Sequence, residues 1–182
     1  PVPREVILEC LELAVQAPTG SNSQTWRWLV IEDADKRAAI AQLYRTSFLA
    51  YNAQRKAGPD PQTERVIDSA LWLAENFDKG PVFVIPCVEG RVGPETPVAQ
   101  TAAVFGSIYP AMWSFQLALR ARGLGSALTT LHLIHEKAVA ELLGIPDNVM
   151  QVALLPVAYT RGTDFKRAKR PPVSTITHWN GW

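Results

Sequence analysis

Five hydrogen-bonding side chains fall within six residues at Thr19-Gly20-Ser21-Asn22-Ser23-Gln24, after Ala17-Pro18 and ahead of Thr25-Trp26-Arg27. Hydroxyls and amides at this density hold polar ligands or water rather than break bonds. The loop is either solvated punctuation at a helix end or the wall of a polar site. A second run, Lys166-Arg167-Ala168-Lys169-Arg170-Pro171-Pro172, gathers four cations ahead of two prolines. It reads as a solvated basic end or as a phosphate-capturing arm, in which a guanidinium fork holds phosphate oxygens. The third run is Gly123-Leu124-Gly125-Ser126-Ala127-Leu128-Thr129-Thr130. A dinucleotide fingerprint needs a strand before its glycines, a helix after them and a third glycine. Here a helical pattern precedes, a strand-like run follows, and Leu128 stands where the third glycine belongs.

Other chemistries lack their residues. His132 and His135 are three apart, with no third ligand near them or near His178. Cys10 and Cys87 are too few for a disulfide framework, and Cys10 sits among Val6, Ile7, Leu11 and Ala14 as a small core residue. No nucleophile elbow is present. The 182 residues carry a net charge of +1, which makes no case for nucleic acid or an anionic membrane surface. The sequence shows neither an apolar run of membrane-spanning length nor a signal-peptide pattern, and a reducing cytoplasm suits the cysteines. The chain starts at Pro1 rather than methionine, so further sequence is expected ahead of it.

These runs are positioned by alternating helical and strand patterns. Arg4 to Ala17 places Val6, Ile7, Cys10, Leu11, Ala14 and Val15 on one helical face, with Pro3 at its first turn. Trp26 to Ile31 reads as a strand. Helices are expected over Asp35 to Tyr44 and Glu64 to Asp78, with a loop around Lys56 to Pro61. Val82 to Val88 reads as a buried strand broken at Pro86. Ala99 to Arg122 is the longest helical pattern; Pro110 should kink or split it, and Gly123 and Gly125 end it. Leu128 to Leu133 reads as the start of a strand. Glu136 to Leu143 is a helix capped by Gly144, and Val149 to Tyr159 a last, central strand. One domain over 1–182 with a central sheet and flanking helices follows, of the α/β or α+β class. Phe48, Tyr51 and the 45–60 region are candidates for a lid. Trp26, Trp28, Trp72, Trp113, Trp179 and Trp182 read as core or interface anchors.

The polar loop resembles the first signature segment of the FMN-dependent nitroreductase family, approximately A-P-S-x-x-N-x-Q-P-W. The glycine run and the basic tail, which ends in His178-Trp179-Asn180-Gly181-Trp182, match the same family in order. The resemblance covers nearly the whole chain. It implies an α+β sandwich with a central mixed sheet, as an intertwined homodimer whose C-terminal tail crosses to the partner. It further implies FMN as cofactor and NAD(P)H as electron donor, with a nitroaromatic, quinone or similar small molecule as acceptor in a ping-pong cycle. By resemblance Pro18, Thr19, Gly20, Ser21 and Asn22 meet the flavin, and Leu128, Thr129 and Thr130 line its ring. Arg170 meets the phosphate; the family's second basic residue, two positions earlier, falls on Ala168, so Arg167 or Lys169 is expected to stand in for it. No side chain is expected to be catalytic. The sequence departs from the family at Thr129-Thr130-Leu131, where many members carry an acidic residue or glycine. It also lacks the R-x-x-R-like phosphate element, which is expected ahead of Pro1. The alternative reading is a flavin store or sensor without turnover. Relatives that fragment flavin or remove halogen carry larger lid insertions than the modest 45–62 region suggests.

Overall fold

A computed structural model describes residues 1–54 and 61–182. The loop expected around Lys56 lies outside the described residues, apart from Pro61. Five helices, α1 (Arg4–Ala14), α2 (Ala34–Ala53), α3 (Pro61–Glu75), α4 (Val98–Ala121) and α5 (Glu136–Leu143), surround a sheet of five strands. The strands are β1 (Trp26–Ile31), β2 (Val82–Glu89), β3 (Leu124–Ser126), β4 (Val149–Gln151) and β5 (Leu155–Tyr159). The spatial order is β1-β2-β5-β3, with β4 on β2 beyond the end of β5.

Every pairing between these strands is antiparallel. The resemblance implied a mixed sheet; a single chain supplies no parallel neighbour among its named strands. Two helices separate β1 from β2, so the chain returns to the sheet in the opposite direction. Pro86 does not break β2, which runs unbroken and almost wholly buried. Its carbonyl accepts from Val152 N (2.9 Å) in the gap between β4 and β5. Successive groups of a strand residue point to one side, so the missing N–H falls in that gap and costs the β1 ladder nothing. The expected single strand Val149 to Tyr159 is accordingly two pieces. Val84 faces Leu155 while Cys87 faces Gln151, a slip of one residue that marks a bulge.

Two layers of core flank the sheet. Ile7, Cys10 and Ala14 of α1 meet Met112, Phe115 and Leu119 of α4 over Val84, Leu155 and Val157. On the other face Ile40, Tyr44 and Phe48 of α2 meet Ala74, Phe77, Phe83, Ile85 and Val139. α2 runs nine residues beyond its expected end at Tyr44, and Asp33 caps it by accepting from Lys36 N (2.9 Å). The third helix ends at Glu75, and Phe77 to Lys79 tightens into a 3₁₀ turn that buries Phe77. By length and composition α4 could cross a membrane; Ile108, Met112, Phe115 and Leu119 are instead committed to the core. It continues through Pro110 without splitting.

Candidate functional site

The polar loop leaves α1 and closes into a 3₁₀ turn over Gly20–Asn22. Ser21 (φ 54°), Asn22 (φ 53°) and Gln24 (φ 49°) all sit in the left-handed region. Non-glycine residues held there cost of order 1 kcal/mol or more each, and such clusters gather at ligand sites. Several bonds sustain the strain. Gly20 N donates to Ser107 Oγ of α4 (2.9 Å), and Ser107 Oγ donates to Ala103 O (2.7 Å). Thr19 Oγ1 accepts from Gln24 N (3.3 Å), and Asn22 Oδ1 accepts from Gln24 Nε2 (3.0 Å). The hydroxyls of Ser21 and Ser23 have no partner among the described residues and face solvent.

The glycine run splits differently from its sequence reading. Gly123 is left-handed (φ 75°) and turns the chain out of α4 into β3. Gly125 lies so close to β5 that a Cβ would come 2.9 Å from Thr160 Cγ2. Past β3 the ladder resumes at one bridge, Thr129 to Leu154. Thr129 gives both its N–H (3.0 Å) and its hydroxyl (2.8 Å) to Leu154 O. Leu128 and Thr130, on either side, are exposed. Of the three expected ring-lining residues, Thr129 is thus the clamp and its neighbours are the exposed groups. The strand expected over Leu128 to Leu133 is instead a 3₁₀ turn, Leu131–His135, started by Leu133 N donating to Thr130 O (3.0 Å).

Both segments lean on α4, through Ser107 for the loop and through Gln116 for β3, where Gln116 Nε2 donates to Ser126 Oγ (3.0 Å). These anchors are nine residues apart. Nine residues are 2.5 helical turns, which puts them on opposite faces of α4 and about 13 Å apart along its axis. The polar loop and β3 therefore meet opposite faces of α4. The tail is exposed and meets α4 at Phe165, whose ring lies 3.9 Å from the Arg120 guanidinium. Arg167 and Arg170 are exposed, and among the described residues Arg170 donates only through Nη1 to the neighbouring Lys169 O. Val173, Ile176, Trp179 and Trp182 are also exposed.

Sequence reasoning missed Ser107 and Gln116; polar residues inside the most apolar helical pattern of the chain were the available signal. Of the lid candidates, Phe48 is buried against Tyr44, whereas Tyr51 is exposed on α2. Among the described residues no group of three or more His, Cys, Asp or Glu could hold a metal.

A family model described as the Nitroreductase family matches residues 1–159. The chain is 28% identical over 180 residues to iodotyrosine deiodinase 1 of Rattus norvegicus, covering 97% of this chain and 62% of the rat protein. A solved structure of oxidized iodotyrosine deiodinase bound to FMN and 3-iodo-L-tyrosine superposes with a TM-score of 0.72 at 23% identity, over 100% of this chain and 90% of that one. The FMN and NADPH-dependent nitroreductase NfnB of a Sphigopyxis strain superposes with a TM-score of 0.70 at 17% identity, over 100% and 92% of the two chains. At these identities the structural likeness speaks for the fold.

Proposed function

The chain belongs to the nitroreductase family, and on that premise we propose that it is an FMN-dependent oxidoreductase whose flavin pocket is completed by a second copy of the chain. The observation that supports the reading is that the polar loop and β3 are tethered to opposite faces of α4. A two-fold axis brings the loop of one copy beside the Leu128–Thr130 segment of the other. The exposed stripe Tyr109, Trp113 and Leu117 on α4 and the unpacked tail supply apolar surface for that contact. β1 is an open sheet edge, bordered by a groove lined with Arg4, Ile7, Leu8, Val30 and Glu32. A partner tail running parallel to β1 would fill that edge and make the sheet mixed.

The groups present suit FMN. Ser21, Asn22 and Ser23 offer hydroxyl and amide groups on a strained loop, while Leu128 offers its backbone and Thr130 its N–H. Arg170, with Arg167, carries the guanidinium for the phosphate. Bound FMN supplies reversible hydride chemistry, between NAD(P)H as donor and a small aromatic acceptor. The chain's own part is to orient the ring, hold the phosphate and exclude water; none of its side chains is required as a general base. A nitroaromatic or quinone is the first acceptor class.

A second reading, reductive removal of halogen from a halophenol, draws on the similarity to iodotyrosine deiodinases. In it two electrons and a proton convert a carbon–iodine bond to carbon–hydrogen and iodide. Leu49 and Tyr51 on α2 and Trp72 on α3 are exposed and would offer an apolar cover for such a ring.

The test is anaerobic mixing of the FMN-loaded protein with NADPH and separately with NADH. Bleaching of the flavin, reversed by a nitroaromatic or quinone, supports the first reading. Reversal by an iodophenol with release of iodide, and not by the nitroaromatic, supports the second. A flavin that stays oxidised with both donors points to a store or sensor and defeats the donor assignment.

A further inference from the structure

His132 is fully buried, yet among the described residues neither Nδ1 nor Nε2 has a hydrogen-bond partner. An imidazole with two unmet nitrogens is an expensive core residue. It lies in the turn Leu131–His135, two residues beyond Thr130 and three beyond the Thr129 clamp. α2 packs on this turn and brings Tyr44 and Phe48 into the same apolar cluster as Leu131. Resting on the flavin reading above, we propose that His132 is the positioning residue of the Leu128–Thr130 segment. It anchors the turn only as a neutral imidazole and releases it on protonation.

The surroundings offer a charged imidazole little. From α5 comes Glu136, whose carboxylate already takes Arg91 Nη2 (2.5 Å) and Gln151 N (3.3 Å). Cys87 of β2, in the same apolar cluster as Leu131, is a thiol pushed up to about 12 by burial and by Glu136. From α2 comes Tyr44, its phenol also raised by burial. Of the α2 cations, Arg37 donates to Asp78 O and Gly80 O, Arg45 donates to Ala74 O and Glu75 O, and Lys36 is exposed at the first turn; His135 closes the same 3₁₀ turn, and Lys137 of α5 is exposed. Desolvation lowers the His132 pKa to about 4 against 6.5 for a free imidazole, and Glu136 only partly opposes it. Acidification therefore drives the ring toward water. Thr129 stays pinned to Leu154, so the displacement falls on Thr130 and Leu131. Thr130 is one of the groups assigned to the flavin.

The segment's opening is read by the hydrogen-exchange protection factor of the Leu133 amide, which is bonded to Thr130 O, with the core amide of Leu119 as control. A closed pKa near 4 and an open one near 6.5 raise the opening constant about 70-fold between pH 7.5 and 4.5. Wild type should lose protection at Leu133 by that order relative to Leu119, and His132→Phe should lose less than about threefold. If His132→Phe does not fold, the wild-type imidazole resonance decides. By linkage, saturating FMN should lower its titration midpoint. Equal loss of protection in wild type and variant, or a midpoint that FMN does not move, overturns the assignment. Failure of FMN to bind at pH 7.5 overturns the flavin reading first, and is seen before any titration is begun.

Discussion

Replacing Ser107 by alanine isolates the tether that holds the strained loop. The hydroxyl accepts the Gly20 N–H at 2.9 Å and is itself committed to Ala103 O. Its removal strands a part-buried N–H at a cost of about 1–3 kcal/mol. Alanine's better helix propensity returns a few tenths. The net loss of about 1–2 kcal/mol corresponds to a fall in Tm of roughly 2–8 °C for a chain of this size. The same loss raises the open population of the loop by a factor of roughly 5–30. Ser114→Ala calibrates the propensity effect, because Ser114 is on the same helix and makes no hydrogen bond among the described residues. Differential scanning calorimetry gives the first quantity, and amide exchange across Gly20 to Gln24 the second. If Ser107→Ala matches Ser114→Ala within 1 °C and leaves loop exchange unchanged, Ser107 is not the tether and the reasoning fails.

Gly125→Ala should destabilise by about 1 kcal/mol, because its Cβ forces Thr160 Cγ2 aside and loosens the Thr160 Oγ1 bond to Gly123 O; Thr160→Ser in the same chain should recover most of it in urea unfolding. Stability should fall with acid. The unfolded chain protonates His132 near 6.5 and the folded chain only near 4, so about 3 kcal/mol is lost from pH 6.5 down to 4. His132→Phe should flatten that part of the profile, and an unchanged slope would remove His132 from the account. Arg170→Ala should weaken FMN binding at least about tenfold by fluorescence titration, in keeping with loss of a charge-assisted phosphate contact. An affinity within twofold of wild type would send the basic tail back to solvent.

Much of this architecture was legible because local signals agreed with the global fold. β1 begins and ends where its apolar run does, and Gly123 and Gly144 turn the chain at positive φ where the helical patterns stop. The errors fell where tertiary partners decide. Tyr44 and Phe48 prolong α2 because Phe77 and the sheet cover them, which periodicity over a shorter window does not reveal. The one-residue slip beside Pro86 needs the partner strand to be seen. The run at Leu128 to Leu133 has strand composition, yet the Thr130–Leu133 bond and the burial of His132 curl it. The candidate site segments were visible as types and spacing. That the polar loop and β3 meet opposite faces of α4 was not, since it depends on which face of one long helix each segment meets.

Sedimentation of the FMN-reconstituted protein, followed through the flavin's visible absorption, bears most directly on a pocket shared by two copies. The account predicts that the yellow species sediments at twice the mass of one chain, with one flavin per chain. Flavin that sediments free, or with a single chain at micromolar concentration, contradicts it.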